Sequence, residues 1–281
     1  MKGYFINDLH IDKWVKTESK SGFTNKSQYK KLLEKWCLPA DILFLGGDVA
    51  SSVNAIYTTF LVLRDMYSHI FYIYGNHEMR LTEEDRYKRL NSYTKRERIE
   101  QFLDTAMNNA DKLSILKGSS ASWRGVVAAG GMGYADGKMS TDPSTLDSRW
   151  SETNDSMMFD LGWTTDMHQI AEYENDAISR GISDVNNGLP RVVMSHFAPY
   201  QTLGDVASKT GFDPGLSAFD ASDHMRMLRD GTIWHFGHVH DRVLREIEVE
   251  GKRILAVNNS IGTREKPPMH DIPREEFLMD V

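Results

Sequence analysis

The sequence predicts an α/β fold, because short apolar runs alternate with segments that have helical periodicity. Five runs are rich in Ile, Val, Phe and Tyr and are bounded by glycines, which is typical of buried strands. In chain order these runs are Gly3–Ile6, Asp41–Leu45, Ile70–Tyr74, Val192–Ser195 and Thr232–Phe236. Alternating strands and helices favour a parallel-rich sheet flanked by helices, and we expect that arrangement here.

The segments between these strands have the periodicity of amphipathic helices. Leu32, Leu33 and Trp36 recur at helical spacing in the first of them. Thr82-x-x-Asp85 resembles a capping box and indicates the start of another. The predicted helices are Ser27–Trp36, Asn54–Tyr67, one or two exposed helices between Thr82 and Leu113, Asp166–Ser179 and Ser222–Arg229.

The remaining strand signals are typical of antiparallel strands. Gly125–Ala129 is a small, β-branched run, and Val243–Val249 and Arg253–Val257 flank a glycine-containing turn as a hairpin. These strands could form a second sheet packed on the first. Tyr134–Phe159 and Tyr200–Asp220 show no regular pattern and are predicted to be irregular, either as binding loops or as surface decoration.

Length and composition favour a single domain over residues 1–281. The 281 residues fit one large α/β domain or two small ones, and a hydrophobic fraction of 40% suffices for a sizeable core. No linker rich in Pro, Gly or Ser separates two halves, and the candidate site residues extend from residue 8 to residue 240. We therefore predict one domain.

Charge and cysteine content restrict the partners and the compartment. A net charge of −7 argues against long duplex DNA as a partner, although short nucleic acid stays possible. The single Cys37 excludes an intrachain disulfide and is predicted to pack in the core. The first apolar run is too short for a signal peptide, and no run approaches the ~20 residues of a membrane helix. We expect a cytoplasmic protein without a membrane partner, of open oligomeric state.

Each of the five strand runs is followed by residue types that bind metal ions. They are Asp8, His10, Asp48, Asn76, His77, His196, His238 and His240. In open α/β sheets, ligands bind beyond the carboxyl ends of the strands. A spacing of two puts both members of the Asp8/His10 pair on one side of the chain, and the same holds for His238 and His240. These donors suffice for two cations of mixed nitrogen and oxygen preference, such as Mn, Fe, Zn, Ni or Co.

Charge counting indicates which reaction such a centre could support. Two carboxylates against two divalent cations leave a charge of about +2, or about +1 after a bridging hydroxide binds, which attracts an anionic phosphoryl group. Two metals ~3.5–4 Å apart can clamp the attacking and leaving oxygens of an in-line displacement. A redox or O₂-activating pair usually sits in a carboxylate-rich helical bundle, which this chain does not offer.

The motifs resemble those of the calcineurin-like, or purple-acid-phosphatase-like, dinuclear metallophosphoesterases. The matching segments occur in the family's order between Lys2 and Gly262. They are Asp8-Leu9-His10, Gly47-Asp48, Gly75-Asn76-His77-Glu78, Ser195-His196 and Gly237-His238-Val239-His240. The resemblance implies a four-layer α/β/β/α sandwich, with two mixed sheets flanked by helices.

The resemblance also implies a role for each site residue. One metal would be held by Asp8, His10, Asp48 and His240. The other would be held by Asp48, Asn76, His196 and His238, with Asp48 as the bridge. His77 would be no ligand but would contact the phosphate, stabilising transition-state charge or protonating the leaving oxygen.

The expected function is a metal-dependent hydrolase of phosphate esters, with a metal-bridged hydroxide as the in-line nucleophile and Mn²⁺ as the first candidate metal. His77 and Asp48 are the expected catalytic residues, and Asn76, His77 and Arg80 the expected substrate contacts. The other basic residues after the Gly75 motif, Arg86 to Arg98, are interleaved with acids and predict a solvated, ion-paired face.

Phosphomonoester and phosphodiester substrates stay open, including short nucleic acids and cyclic or dinucleotides. Asp48 is followed by Val49-Ala50-Ser51-Ser52, which argues against a Ser/Thr protein phosphatase, and Asn7 stands where many members of the family carry Ser. The alternative from another class is a non-catalytic, protein-binding scaffold of the same fold. Such a scaffold would have lost ligands, and this chain retains all of them.

Overall fold

The computed structural model describes residues 1–15, 26–107, 111–153, 155–156, 159–184, 188–203, 213–263, 268 and 271–281. Its strands are β1 (Lys2–Ile6), β2 (Ile42–Leu45), β3 (His69–Tyr72), β4 (Leu113–Ile115), β5 (Ser119–Trp123), β6 (Val126–Gly130), β7 (Val192–Met194), β8 (Ala198–Pro199), β9 (Ala218–Phe219), β10 (Thr232–His235), β11 (Arg242–Val249), β12 (Lys252–Asn259) and β13 (Leu278–Asp280).

The helices are α1 (Ile11–Trp14), α2 (Lys26–Trp36), α3 (Val53–Met66), α4 (Asn76–Met79), α5 (Glu83–Tyr87), α6 (Ser92–Met107), α7 (Leu146–Ser151), α8 (Met167–Ser183), α9 (Tyr200–Leu203), α10 (Pro214–Ser217) and α11 (Ser222–Arg226). Pro143–Thr145 and Arg274–Phe277 form 3₁₀ turns.

Two mixed sheets form the centre of the fold. The first has the strand order β13-β1-β2-β3-β4, in which only the edge strand β13 is antiparallel to its neighbour. The second has the order β11-β12-β10-β7-β6-β5, with a parallel centre and antiparallel pairs at both edges. Parallel strands point their carboxyl ends to one edge, so several strand-end loops meet there.

The two sheets face each other, and the helices cover their outer faces. Phe60 of α3 packs edge-on against Tyr72 of β3 in the first sheet, at 5.0 Å between ring centroids, while α8 lies on β5 and β6 of the second. An isolated parallel bridge pairs Asn7 with Ser260 and joins the sheets where β1 and β12 end. The predicted four-layer sandwich of two mixed sheets is confirmed.

Most predicted elements occur, with shifted ends. The helical stretch after Thr82 divides into α5 and α6, and its final residue, Leu113, instead begins β4. The Thr82–Asp85 capping box is present, since the Thr82 hydroxyl accepts from the Asp85 backbone N–H and the Asp85 carboxylate accepts from that of Thr82.

Three expectations, two of irregular structure and one of a solvated basic face, were wrong in part. Tyr134–Phe159 contains α7, and Tyr200–Asp220 contains α9, α10 and β9, although residues 154, 157–158 and 204–212 lie outside the described residues. Lys95 and Arg96 do not belong to a solvated face: both side chains are buried, because each pairs with an acid, Asp85 and Glu174 respectively.

Cys37 is buried and free, and burial raises the pKa of its thiol to about 12. The prediction that it packs in the core is confirmed. None of the described helices has both the length and the apolar character that crossing a membrane requires.

Candidate metal centre

Five of the predicted ligands have left-handed backbone conformations. The φ angles are 51° at Asp8, 40° at His10, 52° at Asp48, 69° at His238 and 47° at His240. Positive φ is uncommon outside glycine, though Asp and His adopt it more readily than most residues. Residues held in such conformations cluster at functional sites, where the surrounding structure over-determines them. Here they turn the chain sharply where strands end.

One compact group of potential ligands forms at the edge where the parallel strands end. Asp8, His10, Asp48 and His240 each offer a ligand atom, and these atoms lie within 4.8 Å of one another. The Nε2 atoms of His10 and His240 are 2.8 Å apart, and His10 Nε2 is 3.5 Å from Asp48 Oδ2. The structure thus brings together the four residues expected to hold one metal.

The atoms in this group fit a divalent transition-metal ion. Two imidazole nitrogens at 2.8 Å cannot both carry a proton on the shared line, whereas a cation between donors satisfies both lone pairs. Burial lowers the pKa of His10, so its imidazole is neutral, which is the form that binds metals. Neutral imidazoles with carboxylates suit Zn, Fe, Mn and related ions.

A second convergence of electron-pair donors lies on the other side of Asp48. His196 Nδ1 is 2.9 Å from the Gly46 carbonyl oxygen, to which it donates, and Nε2 then faces Asn76 Oδ1 at 3.0 Å and Asp48 Oδ1 at 3.4 Å. Burial lowers the pKa of His196, but the Asp48 and Asp8 carboxylates and the Gly46 carbonyl together outweigh burial, and the pKa is raised to about 9. The surroundings therefore favour positive charge at this point.

His238 is less closely gathered than the other predicted ligands. Its ring stacks on Phe197 at 4.1 Å between centroids and lies 5.4 Å from the His196 ring, while its backbone N–H donates to Asp8 Oδ1 at 3.1 Å. Among the His, Cys, Asp and Glu side chains that the structure describes, only the group around His10 reaches the compactness given above. The second set of predicted ligands is only partly assembled.

The two oxygens of Asp48 turn toward different groups of donors. Oδ1 is 3.4 Å from His196 Nε2 and accepts from the His77 backbone N–H at 2.8 Å, while Oδ2 is 3.5 Å from His10 Nε2. Burial raises the pKa of Asp48, but the neighbouring imidazoles, with His196 foremost through its charge and its hydrogen bond, outweigh burial and hold it well below its usual range. The ionised Asp48 carboxylate thus faces both groups of donors, one with each oxygen.

Glu78 is a buried residue whose role the sequence reasoning missed, although it ends the Gly75-Asn76-His77-Glu78 segment. Its carboxylate accepts backbone hydrogen bonds from Asp48 at 2.9 Å, Val49 at 2.6 Å, Ala50 at 3.3 Å and Gly75 at 2.7 Å. Burial, and then the nearby Asp48 carboxylate, raise the pKa of Glu78 to about 7. Glu78 thereby ties together the loops that carry Asp48 and Asn76.

Asn7 orients the Asp8 side chain from the place where the two sheets meet. Its amide nitrogen donates to Asp8 Oδ2 and, at 2.8 Å, to Asn258 Oδ1, while its Oδ1 accepts from the Asn259 backbone N–H at 3.1 Å. Residues from β12 therefore orient a candidate ligand at the end of β1. Asparagine can make all three bonds, whereas a Ser at this position would be shorter and would have one donor.

His77 lies beside the centre and is held at both ring nitrogens. Nδ1 is 3.0 Å from Ser51 Oγ, and Nε2 is 2.6 Å from Nη1 of Arg80. Because a guanidinium only donates, His77 Nε2 must accept, and its proton sits on Nδ1. Burial lowers the pKa of His77 well below its usual range, consistent with a neutral ring.

Asp155 is the other residue that sequence reasoning missed. Its buried carboxylate accepts from the Asn76 amide at 3.1 and 3.0 Å and from the Tyr134 hydroxyl at 3.2 Å, and it also pairs with Arg80. It lies in the stretch predicted to be irregular, and no local motif marks it.

Comparisons with known proteins report on the family and the fold of the chain. The sequence profile of the calcineurin-like phosphoesterase family matches residues 1–242. The phosphopantetheinyl hydrolase PptH from Mycobacterium tuberculosis has a similar fold, with a TM-score of 0.66 at 17% identity over 100% of this chain and 95% of that one. The sulfate thiohydrolase SoxB from Thermus thermophilus matches with a TM-score of 0.34 at 13% identity, over 92% of this chain and 51% of that one.

A search of curated proteins finds no match to this chain. The family profile covers most of the sequence and includes every predicted metal ligand from Asp8 to His240. The chain belongs to the calcineurin-like phosphoesterase family.

Proposed function

We propose that the chain is a dinuclear-metal-dependent hydrolase of phosphate esters. The observation that carries the proposal is the double convergence of donors on Asp48. His10 Nε2 lies 3.5 Å from one carboxylate oxygen, and His196 Nε2 lies 3.4 Å from the other. A single carboxylate shared by two sets of nitrogen donors suits two cations better than one.

The residues would divide between the two ions by position. Asp8, His10, Asp48 and His240 would hold the first, and Asp48, Asn76, His196 and His238 the second. When bound, a pair of divalent transition-metal ions supplies Lewis acidity and water that is acidic enough to ionise near neutral pH. Mn²⁺ is the ion that we would try first, followed by Fe, Zn, Ni and Co.

His77 and Arg80 support the proposed reaction from the side of the substrate. Arg80 Nη1 donates to His77 Nε2 at 2.6 Å, which leaves His77 neutral with its proton on the nitrogen facing Ser51. A phosphate oxygen that accepts the Arg80 hydrogen bond would release His77 Nε2. That nitrogen could then take up a proton from water and deliver it to the leaving oxygen, as general acid catalysis requires.

The direct test uses full-length protein stripped of metal and then supplied with Mn²⁺. We expect hydrolysis of p-nitrophenyl phosphate or bis(p-nitrophenyl) phosphate that appears with Mn²⁺ and disappears with a chelator. If no activated ester is hydrolysed with any of the five metals, the proposal is wrong. If elemental analysis before stripping also finds less than one tightly bound ion per chain, the non-catalytic scaffold is favoured.

A further inference from the structure

Asp155 joins two residues that serve different parts of the proposed site. Its carboxylate, 6% exposed as a residue, accepts both hydrogen bonds from the Asn76 amide nitrogen, at 3.1 and 3.0 Å. The same carboxylate pairs with Nε of Arg80 and accepts from the Tyr134 hydroxyl at 3.2 Å. One buried anion therefore fixes a candidate metal ligand and the nearest guanidinium at once.

The Asn76 contact decides which way the amide faces. With the amide nitrogen turned to Asp155, the oxygen is left to point at His196 Nε2, 3.0 Å away. Charge-assisted hydrogen bonds of this kind are shorter and about twice as strong as neutral ones.

Arg80 is anchored at its backbone as well as at its side chain. The fully buried Lys95 ammonium donates to the carbonyl oxygens of Arg80 and, at 2.8 Å, of Ser51, and it lies 3.0 Å from Asp85 Oδ2. Ser51 and Arg80 are the two residues whose side chains contact the His77 ring. A buried cation thus sets the positions of both.

The guanidinium of Arg80 has N–H donors beside the site that the described residues do not use. Nε faces Asp155 and Nη1 faces His77 Nε2, which is itself 3.9 Å from Asp48 Oδ2. Within the part of the chain that the structure describes, Nη2 has no hydrogen-bond acceptor, and the Arg80 side chain is 18% exposed. These donors suit an anionic oxygen bound next to His77.

From this arrangement we infer that Arg80, positioned by Asp155, makes the site selective for a terminal phosphate group, so that phosphomonoesters are preferred to phosphodiesters. The inference rests on the proposed function. A monoester has three non-bridging oxygens and a diester only two. Two cations can bind two oxygens, and the third, charged oxygen of a monoester matches a fixed guanidinium. A diester presents there an ester oxygen, which carries an organic group and accepts weakly.

The test compares p-nitrophenyl phosphate with bis(p-nitrophenyl) phosphate, which share one leaving group, on Mn²⁺-loaded full-length protein. Arg80→Met should lower kcat/KM for the monoester by about 10- to 100-fold, the range expected for a lost charged hydrogen bond, and lower the diester value by a clearly smaller factor, so that the monoester-to-diester ratio falls. Asp155→Asn should shift the monoester-to-diester ratio in the same direction. Arg80→Gln serves as a second variant if Arg80→Met does not fold.

Lys88→Met is the matched control, since Lys88 belongs to the same basic cluster but lies on the exposed surface and pairs with Glu84. It should leave the ratio unchanged. If Arg80 had a merely structural role, Arg80→Met would lower kcat/KM equally for both substrates and leave their ratio unchanged. That result would overturn the inference.

A binding measurement separates this inference from the proposed function. Isothermal titration calorimetry with inorganic phosphate and with dimethyl phosphate needs no turnover. Phosphate should bind the wild type and bind Arg80→Met about 10-fold more weakly, whereas dimethyl phosphate should not distinguish the two. Equal effects on both anions contradict the inference even if hydrolysis is observed. Absence of hydrolysis with the expected binding difference contradicts the proposed function instead.

Discussion

The Glu78 carboxylate accepts a hydrogen bond from the backbone N–H of Asp48, with 2.9 Å between the two heavy atoms. It also accepts from Val49, Ala50 and Gly75, so one buried side chain organises two loops that follow neighbouring strands. Because Glu78 holds the backbone of Asp48, the side chain of Asp48 is left to face the proposed metals.

Replacing Glu78 by Gln should weaken both the fold and the metal centre. A Gln side chain has one acceptor oxygen and turns its amide donors toward backbone N–H groups, so we expect a loss of about 3 kcal/mol in the free energy of unfolding. Metal affinity should fall about 10- to 100-fold, as for other residues that orient ligands. Urea unfolding and metal titration measure the two effects. Glu84→Gln, at an exposed position, is the control, and equal behaviour of the two variants would refute the role of Glu78.

Gly75 is required because Asp48 lies against it. A Cβ at Gly75 would overlap Asp48 Oδ1 and the Asp48 backbone nitrogen, although the φ of −107° is open to any residue. Gly75→Ala should therefore displace the Asp48 carboxylate and lower metal-dependent activity by at least about 10-fold. At Gly131 the nearest neighbour of an added Cβ is 3.5 Å away, so Gly131→Ala should be tolerated. A fully active Gly75→Ala enzyme would be incompatible with this packing.

Asp48→Asn should separate stability from activity. The substitution removes the charge that both donor groups share while keeping nearly the same shape. We expect activity with Mn²⁺ to fall by more than about 100-fold while circular dichroism and the melting temperature change little. Retained activity would mean that another residue bridges the metals.

The pH dependence of stability should carry a contribution from His235, which lies between the sheets. Its ring nitrogens are 3.2 Å from the carbonyl oxygens of Val257 and Ile6, and burial lowers its pKa from 6.5 to about 4. Between these values the unfolded chain binds a proton that the folded protein lacks. Neutral His235 therefore contributes about 3 kcal/mol to the free energy of unfolding above pH 6.5. This contribution is lost as the pH falls through 4.

Urea unfolding of the wild type and of His235→Gln across this pH range measures that contribution. The variant cannot take up the proton in either state, so its stability should fall less steeply below pH 6.5. Identical slopes for the two proteins would show that His235 titrates alike in both states.

The central strands and the strand-end residues could be predicted from the sequence because both signals are local. An apolar run followed within a few residues by Asp48 or His196 indicates a strand and its end without knowledge of the rest of the chain. The roles assigned to these residues as ligands stay predictions, and His238 in particular is less closely gathered than expected.

The features that were missed depend on contacts between distant residues. Asp155 is 79 residues from Asn76 and has no motif around it, and β13 pairs with β1 across nearly the whole chain. Lys95 and Arg96 read as surface charges because their type favours solvent, and only the positions of Asp85 and Glu174 make their burial possible.

The most direct measurement is a calorimetric titration of metal-stripped protein with Mn²⁺, followed in parallel by hydrolysis of p-nitrophenyl phosphate. We expect two bound ions per chain, with hydrolysis rising as the second site fills. In Asp48→Asn, both binding and hydrolysis should be lost or severely weakened. Binding of no more than one ion at saturation, or hydrolysis that is independent of Mn²⁺ and of Asp48, would contradict a dinuclear centre bridged by Asp48.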